Sequence, residues 1–523
     1  MNRFFQRIVG LAVMLVVLAA AGLLWWAVTV EHPETMWDPV SVTIGGAWTL
    51  MYSTELPKLR LLAVALALAL VMILIVVAAE RIVSRRYRRT PPHRRDRSLA
   101  PRQIMARTRG VFAGEVTVTA LIPAHNEEAS LPATIASLRA QTSPPDRVIV
   151  VADNCTDGTV RVAREAGAEV FETVANTHKK GGALNQALAG LLPELGDNDS
   201  VLVMDADTQL GPEFVATAKR YFSNDRALMA VGGLFSGEEG HGLLGQFQRN
   251  EYFRYQREIR RRDGRVFVLT GTGTAFRATA LKAVADSRGR AIPGVQGDVY
   301  DTFALTEDNE LTIAIKSLGG LMVSPPECTV VTELMPTWRM LWAQRLRWQR
   351  GALENLGAYG MTPQTFRYWA QQVAIGYGVF ALAAYFVLIL LMIFAMDTWV
   401  WFPFWLGIGF LFAVERMVTA WRGGWRARGL SVLIFPELVY DSFLNLAFLK
   451  GVFEISSGQR PTWKHVQHAP SSASAAAAEP SLLTEHVLGE EVGSVVDLTA
   501  PGEPAGSTVA GRHAESENTE VRA

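Results

Sequence analysis

The stretch Ser200–Phe214, SVLVMDADTQLGPEF, decides the reading of this chain. Its first half is a short, continuous apolar run of the kind that forms a buried strand, and it ends on two carboxylates, Asp205 and Asp207. Side chains on a strand alternate, so residues i and i+2 share a face, and two like charges at one strand tip repel unless a cation or solvent separates them. The pair therefore raises the question of a metal.

Working outward, VTVTALIPA reads as a strand, EEASLPATIASLRAQ as a helix, RVIVVAD as a strand, DGTVRVAREAG as a helix, AEVFETV as a strand and GGALNQALAGLL as a helix, before SVLVMDAD. That alternation predicts an α/β domain with a parallel sheet and crossover helices, in which ligands bind outside the carboxyl ends of the strands. Three of those ends carry PAHNEE, DNCTDG and DAD, so polar chemistry collects along one edge. The first strand-to-helix turn has neither GxGxxG nor GxxxxGK[ST], which weighs against a dinucleotide fold or a P-loop ATPase. Acidic turns with Asp153, Asp205 and Asp207, beside the basic cluster His178-Lys179-Lys180, suit a nucleotide whose diphosphate is held by a divalent cation and a lysine. Magnesium fits, because it takes one or two carboxylates and completes its octahedron with phosphate oxygens and water.

Length and charge set the surroundings. The 523 residues balance 50 basic against 50 acidic side chains, but the segment Arg81 to Arg109 holds eleven arginines against Asp96 alone, and the tail beyond Pro470 is mostly acidic. Two cysteines, Cys155 and Cys328, make no disulfide framework. Uncharged runs at Ile8 to Val30 and Leu61 to Ala79, about 23 and about 19 residues, are near the length that crosses hydrocarbon. A cleaved signal peptide is the alternative for the first, which is long for one and ends in Trp25-Trp26. The arginines after Ala79 mark the cytosolic side and leave the loop Glu31 to Glu55 outside. Further runs follow at Val373 to Met396, Trp399 to about Thr419 and Leu430 to Phe453. The last puts Glu437, Asp441 and Asn445 on one helix face, which is expected to pack on neighbours or lie in the interface rather than meet lipid. The expected plan is two N-terminal transmembrane helices (1–80), a basic linker (81–115), the α/β domain (116–335), interfacial helices (336–370), C-terminal transmembrane helices (371–455) and a disordered acidic tail (469–523).

In order along the chain, LIPAHNEE, DNCTDGT, HKKGGALN, MDADTQL, LTEDNELT and QRLRWQRG, flanked by hydrophobic helices, resemble the processive family 2 glycosyltransferases, membrane synthases of cellulose, hyaluronan, chitin or poly-N-acetylglucosamine. The resemblance covers roughly Thr117 to Gly357. It implies a GT-A nucleotide-binding fold, Rossmann-like, inserted between the N- and C-terminal membrane helices. Ala124 and Asp153 would then contact the uridine, Lys180 would lie near the diphosphate, Asp205 would reach the nucleotide side, and Asp207 would hold Mg²⁺ or Mn²⁺. Taken alone, Asp207 reads equally well as the cap of a helix begun by TQLGPEF, and Asp153 as an Asx turn.

Thr306 to Leu311, TEDNEL, precedes an amphipathic run, so its plain reading is a helix N-terminus enriched in acids. Direct displacement at a sugar also needs a group that accepts the proton of the attacking hydroxyl. The resemblance gives that role to Asp308, with Glu307 as the supporting acid. In the run from Met335 to Gly351, Gln344, Arg347, Trp348 and Gly351 share one helix face. An interfacial amphipathic helix accounts for that pattern. The resemblance adds that Gln344, Arg347 and Trp348 close the nucleotide site, with Trp348 also bordering the acceptor and a guanidinium fork facing phosphate. Gly271, Thr272 and Gly273 match a loop near the acceptor sugar.

The resulting expectation is an inverting, processive glycosyltransferase of the cell membrane. It would take a UDP-sugar from the cytosol, add it to a growing β-linked glycan and pass the polymer outward, with membrane lipid as a partner and no nucleic acid. The pattern looks closest to synthases of poly-β-1,6-N-acetylglucosamine, with UDP-glucose and a β-glucan as the alternative. LTED, the long arginine-rich linker and the acidic tail depart from that pattern. Transfer of one sugar to a lipid carrier, or a sensor that binds nucleotide sugar without turnover, would need fewer of these motifs.

Overall fold

The computed structural model describes residues 115–262, 264–395, 398–401 and 403–459, with two short strands at 40–44 and 48–52 and the isolated positions 22, 25 and 67. The chain divides into two compact units, Met1–Ala477 and Ala478–Ala523, and every described residue lies in the first. The two expected N-terminal membrane runs, apart from isolated residues, the arginine-rich linker and the acidic tail lie outside the described residues.

In chain order the strands are β1 (Val40–Ile44), β2 (Trp48–Tyr52), β3 (Thr117–Ala124), β4 (Arg147–Ala152), β5 (Glu169–Glu172), β6 (Asp199–Val203), β7 (Gln209–Leu210), β8 (Leu228–Gly232), β9 (Leu234–Gly237), β10 (Thr274–Arg277), β11 (Leu321–Val323), β12 (Thr329–Thr332) and β13 (Thr398–Trp401). The helices are α1 (Leu131–Arg139), α2 (Thr159–Glu165), α3 (Lys179–Leu191), α4 (Phe214–Asn224), α5 (Gly242–Arg261), α6 (Ala278–Ser287), α7 (Glu307–Ser317), α8 (Trp338–Tyr359), α9 (Phe366–Ala395), α10 (Pro403–Thr419), α11 (Gly424–Val432) and α12 (Ile434–Ser456).

Period-two burial builds the centre. On β3, Val118, Ala120 and Ile122 face α1 and α4, packing with Leu131, Ile135, Phe214 and Phe222. Leu121, between them in sequence, faces the opposite layer with Leu184 and Leu188 of α3, Leu281 of α6 and Leu311 of α7. Both faces are covered, which is why the strands read as near-continuous apolar runs. The seven-stranded sheet has the order β11-β8-β10-β6-β3-β4-β5. The strands read from the alternating stretch, β3, β4, β5 and β6, are parallel as expected; the sheet as a whole is mixed, because β10 runs antiparallel to both β6 and β8. The reversal matters for the site. With Thr274 opposite Val203, the start of β10 meets the end of β6, so the Gly271–Gly273 turn arrives beside the DAD segment.

Beyond the sheet, α8 packs along α12, while α9 follows a short turn. The expected run from Trp399 is not one helix: its first residues form β13, which pairs in parallel with β2, and helix begins only at Pro403. The run Leu430 to Phe453 is likewise broken, with α11 ending at Val432 and α12 starting at Ile434 with an 85° bend between them. Pro436, which lacks an N–H, is tolerated in the first turn of a helix but not in its middle. Among the described residues no single helix is long and apolar enough to cross a membrane; the bent pair α11–α12 meets the test by length and composition. The polar face foreseen on the last run turns inward: Glu437 is buried and accepts from Arg254 of α5 and Arg416 of α10, and Asp441 pairs with Arg416.

Candidate active site

The strand ends place the acids. Strand β6 stops at Val203, and Ala206 and Asp207 lie in a turn, so the pair is not held by strand alternation. Nor does Asp207 cap a helix: residues 209–210 form β7, and α4 starts only at Phe214. The carboxylate of Asp207 accepts from the Thr208 hydroxyl at 3.1 Å.

Lys180, in the first turn of α3, reaches across this edge. Its ammonium lies 2.6 Å from Asp205 and 3.2 Å from Glu307. Burial opposes the ammonium, yet Asp205 and then Glu307 outweigh it and hold the Lys180 pKa above the ordinary lysine value. Gly271 makes this possible, because a Cβ there would stand 3.0 Å from the lysine nitrogen and 3.5 Å from an Asp205 oxygen.

Asp308 is the centre of the cluster. Its Oδ1 accepts the Asn309 N–H at 2.7 Å and its Oδ2 the Gly271 N–H at 3.2 Å, which ties α7 to the turn before β10. It does not cap α7, whose N-cap is Thr306. Burial first, and the neighbouring Glu307 charge second, raise the Asp308 pKa to about 6 against the pull of Lys180 and two backbone donors. A carboxylate so poised is a competent proton acceptor near neutral pH. Leu269, Thr270, Thr274, Phe276, Tyr300 and Leu311 line the remainder of this cavity.

On the far side of the same edge, Asp153 follows β4 and is 8% exposed. Its Oδ1 gathers Asn154 at 3.0 Å, Thr173 at 2.8 Å and Asn176 at 2.8 Å. That convergence sets its orientation, which an Asx turn alone does not require. Ala124 ends β3, buried, with its carbonyl accepting the Asp153 N–H. Lys179 stands close enough to Arg347 for burial and then that charge to lower its pKa, so α3 and α8 bring two cations to one place.

Helix α8 is docked on the acidic segment itself. A Cβ on Gly351 would lie 2.6 Å from the Thr306 hydroxyl, and the Asn355 amide donates to the Thr306 carbonyl and hydroxyl and to Asn309, each at 3.2 Å. The face holding Gln344, Arg347, Trp348 and Gly351 thus continues to Asn355, a residue missed in the sequence that the same helical spacing reaches. Arg345 was also missed: it is 2% exposed and paired with Glu251 at 2.9 Å. Two residues along α7, on nearly the opposite face, Glu310 forms a second ionic cluster. It is 1% exposed and takes both guanidinium nitrogens of fully buried Arg288, with Tyr359 donating from α8.

Among the described residues no group of three or more His, Cys, Asp or Glu side chains is arranged to hold a metal ion. The donor set fits a cation that needs only one or two carboxylates and takes its other ligands from a bound diphosphate and water.

Residues 115–351 match the family model described as "Glycosyltransferase like family 2". They form a glycosyltransferase family 2 domain. The chain is 30% identical over 249 residues to "Probable glycosyltransferase YdaM" of Bacillus subtilis strain 168, covering 45% of this chain and 54% of that one. It is 29% identical over 133 residues to a 4,4'-diaponeurosporenoate glycosyltransferase of Staphylococcus haemolyticus, covering 25% of this chain and 32% of the other. The matched part thus spans about half the length of the first relative and a third of the second. Among solved structures, the mannosyltransferase PcManGT from Pyrobaculum calidifontis in complex with GDP-Man and Mn²⁺ is similar at a TM-score of 0.44 and 17% identity, over 66% of this chain and 89% of that one. Glucosyl-3-phosphoglycerate synthase from Mycobacterium tuberculosis is similar at 0.33 and 21%, over 48% and 80%. In this glycosyltransferase domain, Asp153, Lys180, Asp205, Asp207, the Gly271 turn, Glu307 and Asp308 share one sheet edge, with α8 laid against it.

Proposed function

We propose that the chain transfers a hexose from a UDP-sugar, N-acetylglucosamine first and glucose as the alternative, onto a growing β-linked glycan by single displacement with inversion. The observation that carries this reading is Asp308, a carboxylate with its pKa raised to about 6, fixed by the Gly271 N–H beside Lys180 and the strand-end acids. Asp153 orients the base, Lys180, Lys179 and Arg347 supply positive charge near the diphosphate, and Asp207 would hold Mg²⁺ or Mn²⁺. When bound, that cation neutralises charge on the leaving nucleotide. Asp308 accepts the proton of the attacking acceptor hydroxyl, and Gly271–Gly273 and Trp348 border the acceptor.

Placement in the cell membrane, with the catalytic domain cytosolic, is part of the proposal. Exposed Val373, Tyr377, Phe380, Val387 and Leu390 on α9, and Phe435, Val439, Leu446 and Phe453 on α12, support it, since apolar faces of that extent suit lipid. The β1-β2-β13 sheet supports it too, pairing the loop that the charge pattern places on the outer side with the residues just before α10. Processive extension rests on α8 lying between the C-terminal helices and the acceptor edge.

The test is incubation of membranes with radiolabelled UDP-N-acetylglucosamine or UDP-glucose and Mg²⁺ or Mn²⁺, followed by sizing of the product. Long polymer from one donor is expected. A lipid-linked monosaccharide would replace polymerisation with single transfer, and donor binding without UDP release would refute the enzyme.

A further inference from the structure

Arg345 lies between Gln344 and Arg347 in sequence and is buried within the protein. Its guanidinium carbon lies 4.3 Å from the centre of the Trp348 ring and 6.0 Å from that of Tyr252, and its Nη2 donates to Glu251 of α5 at 2.9 Å. The same Glu251 oxygen accepts the Tyr440 hydroxyl of α12 at 2.8 Å. Tyr440, 1% exposed, is stacked on Phe247 of α5 with ring centres 4.9 Å apart and planes 8° from parallel. Helix α5 is held in turn by α11 and α12, through Asn250 to Ser431 at 3.2 Å and Arg254 to Glu437 at 2.9 Å.

Each link has a physical reason. A guanidinium removed from water needs a carboxylate, and Glu251 is the one that meets it. A planar cation lying against an indole restricts both ring rotation and ring displacement, and an ammonium on a flexible stem does not reproduce that. The other side of α8 is fixed on the acidic segment by Gly351 and Asn355, so the backbone of the helix cannot shift to relieve a change at Arg345.

We infer that Glu251 and Arg345 are positioning residues for Trp348, setting the orientation of the indole at the acceptor side of the site, and that the C-terminal helices reach the acceptor through this contact. The inference rests on the proposed transfer reaction for its kinetic consequence, but the geometry of the contact can be read without activity. In the proposed reaction neither residue is assigned to donor or acceptor. Their substitution therefore acts on acceptor binding and leaves the donor side as it was.

The experiment uses the full chain in detergent or nanodiscs, labelled with 5-fluorotryptophan, with the Trp348 resonance assigned by its loss in Trp348→Phe. Arg345→Lys keeps the charge opposite Glu251 and removes the flat contact; Glu251→Gln keeps the shape and removes the anchor. Both are expected to move or broaden the Trp348 ¹⁹F signal while most other tryptophan signals stay in place. With UDP-N-acetylglucosamine and chito-oligosaccharides, or UDP-glucose and cello-oligosaccharides, both are expected to raise the acceptor KM by about tenfold, between the worth of an exposed and of a desolvated cation–π contact. The donor KM and the slow hydrolysis of donor by water are expected to stay within about twofold.

An unmoved Trp348 signal in Arg345→Lys overturns the inference, as does a moved signal with an unchanged acceptor KM. A fall of donor and acceptor parameters together, in proportion to folded protein, overturns it as well and returns the pair to a purely structural role. Should the wild-type chain transfer neither sugar, the reaction proposed above fails, and the ¹⁹F spectra alone decide whether Glu251 and Arg345 orient the indole.

Discussion

Two ionic clusters lie two residues apart on α7, on nearly opposite faces of the helix, and they are built on opposite principles. Around Asp308, three carboxylates share one ammonium, the side chains are partly accessible, and a backbone N–H from a distant turn completes the set. Around Glu310, one carboxylate meets one guanidinium with almost no exposure, Tyr359 donates to the same carboxylate, and the carbonyls of Pro293 and Val299 each take a further donor from the two Nη nitrogens. The first cluster leaves negative charge under-compensated, which suits a cation and a proton. The second is neutral and dry, which suits holding the helix where the first can work.

The sharpest way to break that contrast is Asp308→Asn. Loss of general-base assistance is expected to lower transfer by about 10² to 10⁴ while UDP binding survives. Radiolabelled product and a UDP competition assay in one preparation check both halves. Because the base acts ionised, wild-type transfer should fall as pH drops through about 6, not near the 3.8 of an ordinary aspartate.

Arg288→Met attacks the other cluster and should reverse the outcome. Leaving Glu310 buried without its partner is expected to cost about 3–5 kcal/mol of stability, seen as a lowered thermal midpoint. Activity per folded molecule near the transition would change far less than in Asp308→Asn.

Asp207→Asn removes a ligand charge without disturbing either cluster. Losing groups that merely support a metal ligand costs about 10- to 100-fold in affinity or activity, so the divalent concentration for half-maximal transfer should rise by at least that factor. Full turnover in excess EDTA would take the cation out of the account.

The smallest effect runs in the stabilising direction. Since the folded-state pKa of Asp308 lies above its unfolded value, its ionised form works against folding near pH 7, and Asp308→Asn should raise stability there by on the order of 1–2 kcal/mol. The gain should shrink as pH falls through about 6 towards 4, where the wild-type carboxyl is protonated in the fold. A pH series of unfolding midpoints for both proteins reads it directly.

Much of this edge was legible in the sequence because burial on both faces of a sheet writes long apolar runs, and the polar residues that interrupt them fall at strand ends. Asp153, Asp205 and Asp207 were found that way, whereas Asp308, in the first turn of α7, was singled out only by the resemblance of its TED motif. What the runs could not show was direction. Thr274–Arg277 is four residues long, and nothing in TAFR says that it enters the sheet reversed; yet that reversal brings Gly271 to Asp308. Arg345 and Asn355 escaped notice because a motif reading attends to alternate positions on one face, whereas α8 is gripped on two. The break at Leu433 did leave a mark, Pro436, which a reading based on hydropathy passed over.

Glu437 carries a practical lesson about where this molecule can be divided. It belongs by sequence to the last helix, but its carboxylate is met by Asn250, Arg254, Arg416 and Ser431, so three segments of the chain close around one side chain. Cutting after the matched domain at 351 would strip Arg254 of its counter-charge and uncover the buried side of Asn250, while also stranding Thr306 without Asn355. The family boundary is therefore a boundary of descent and not of folding, and a severed catalytic fragment would have raw polar wounds where the intact chain has a seam.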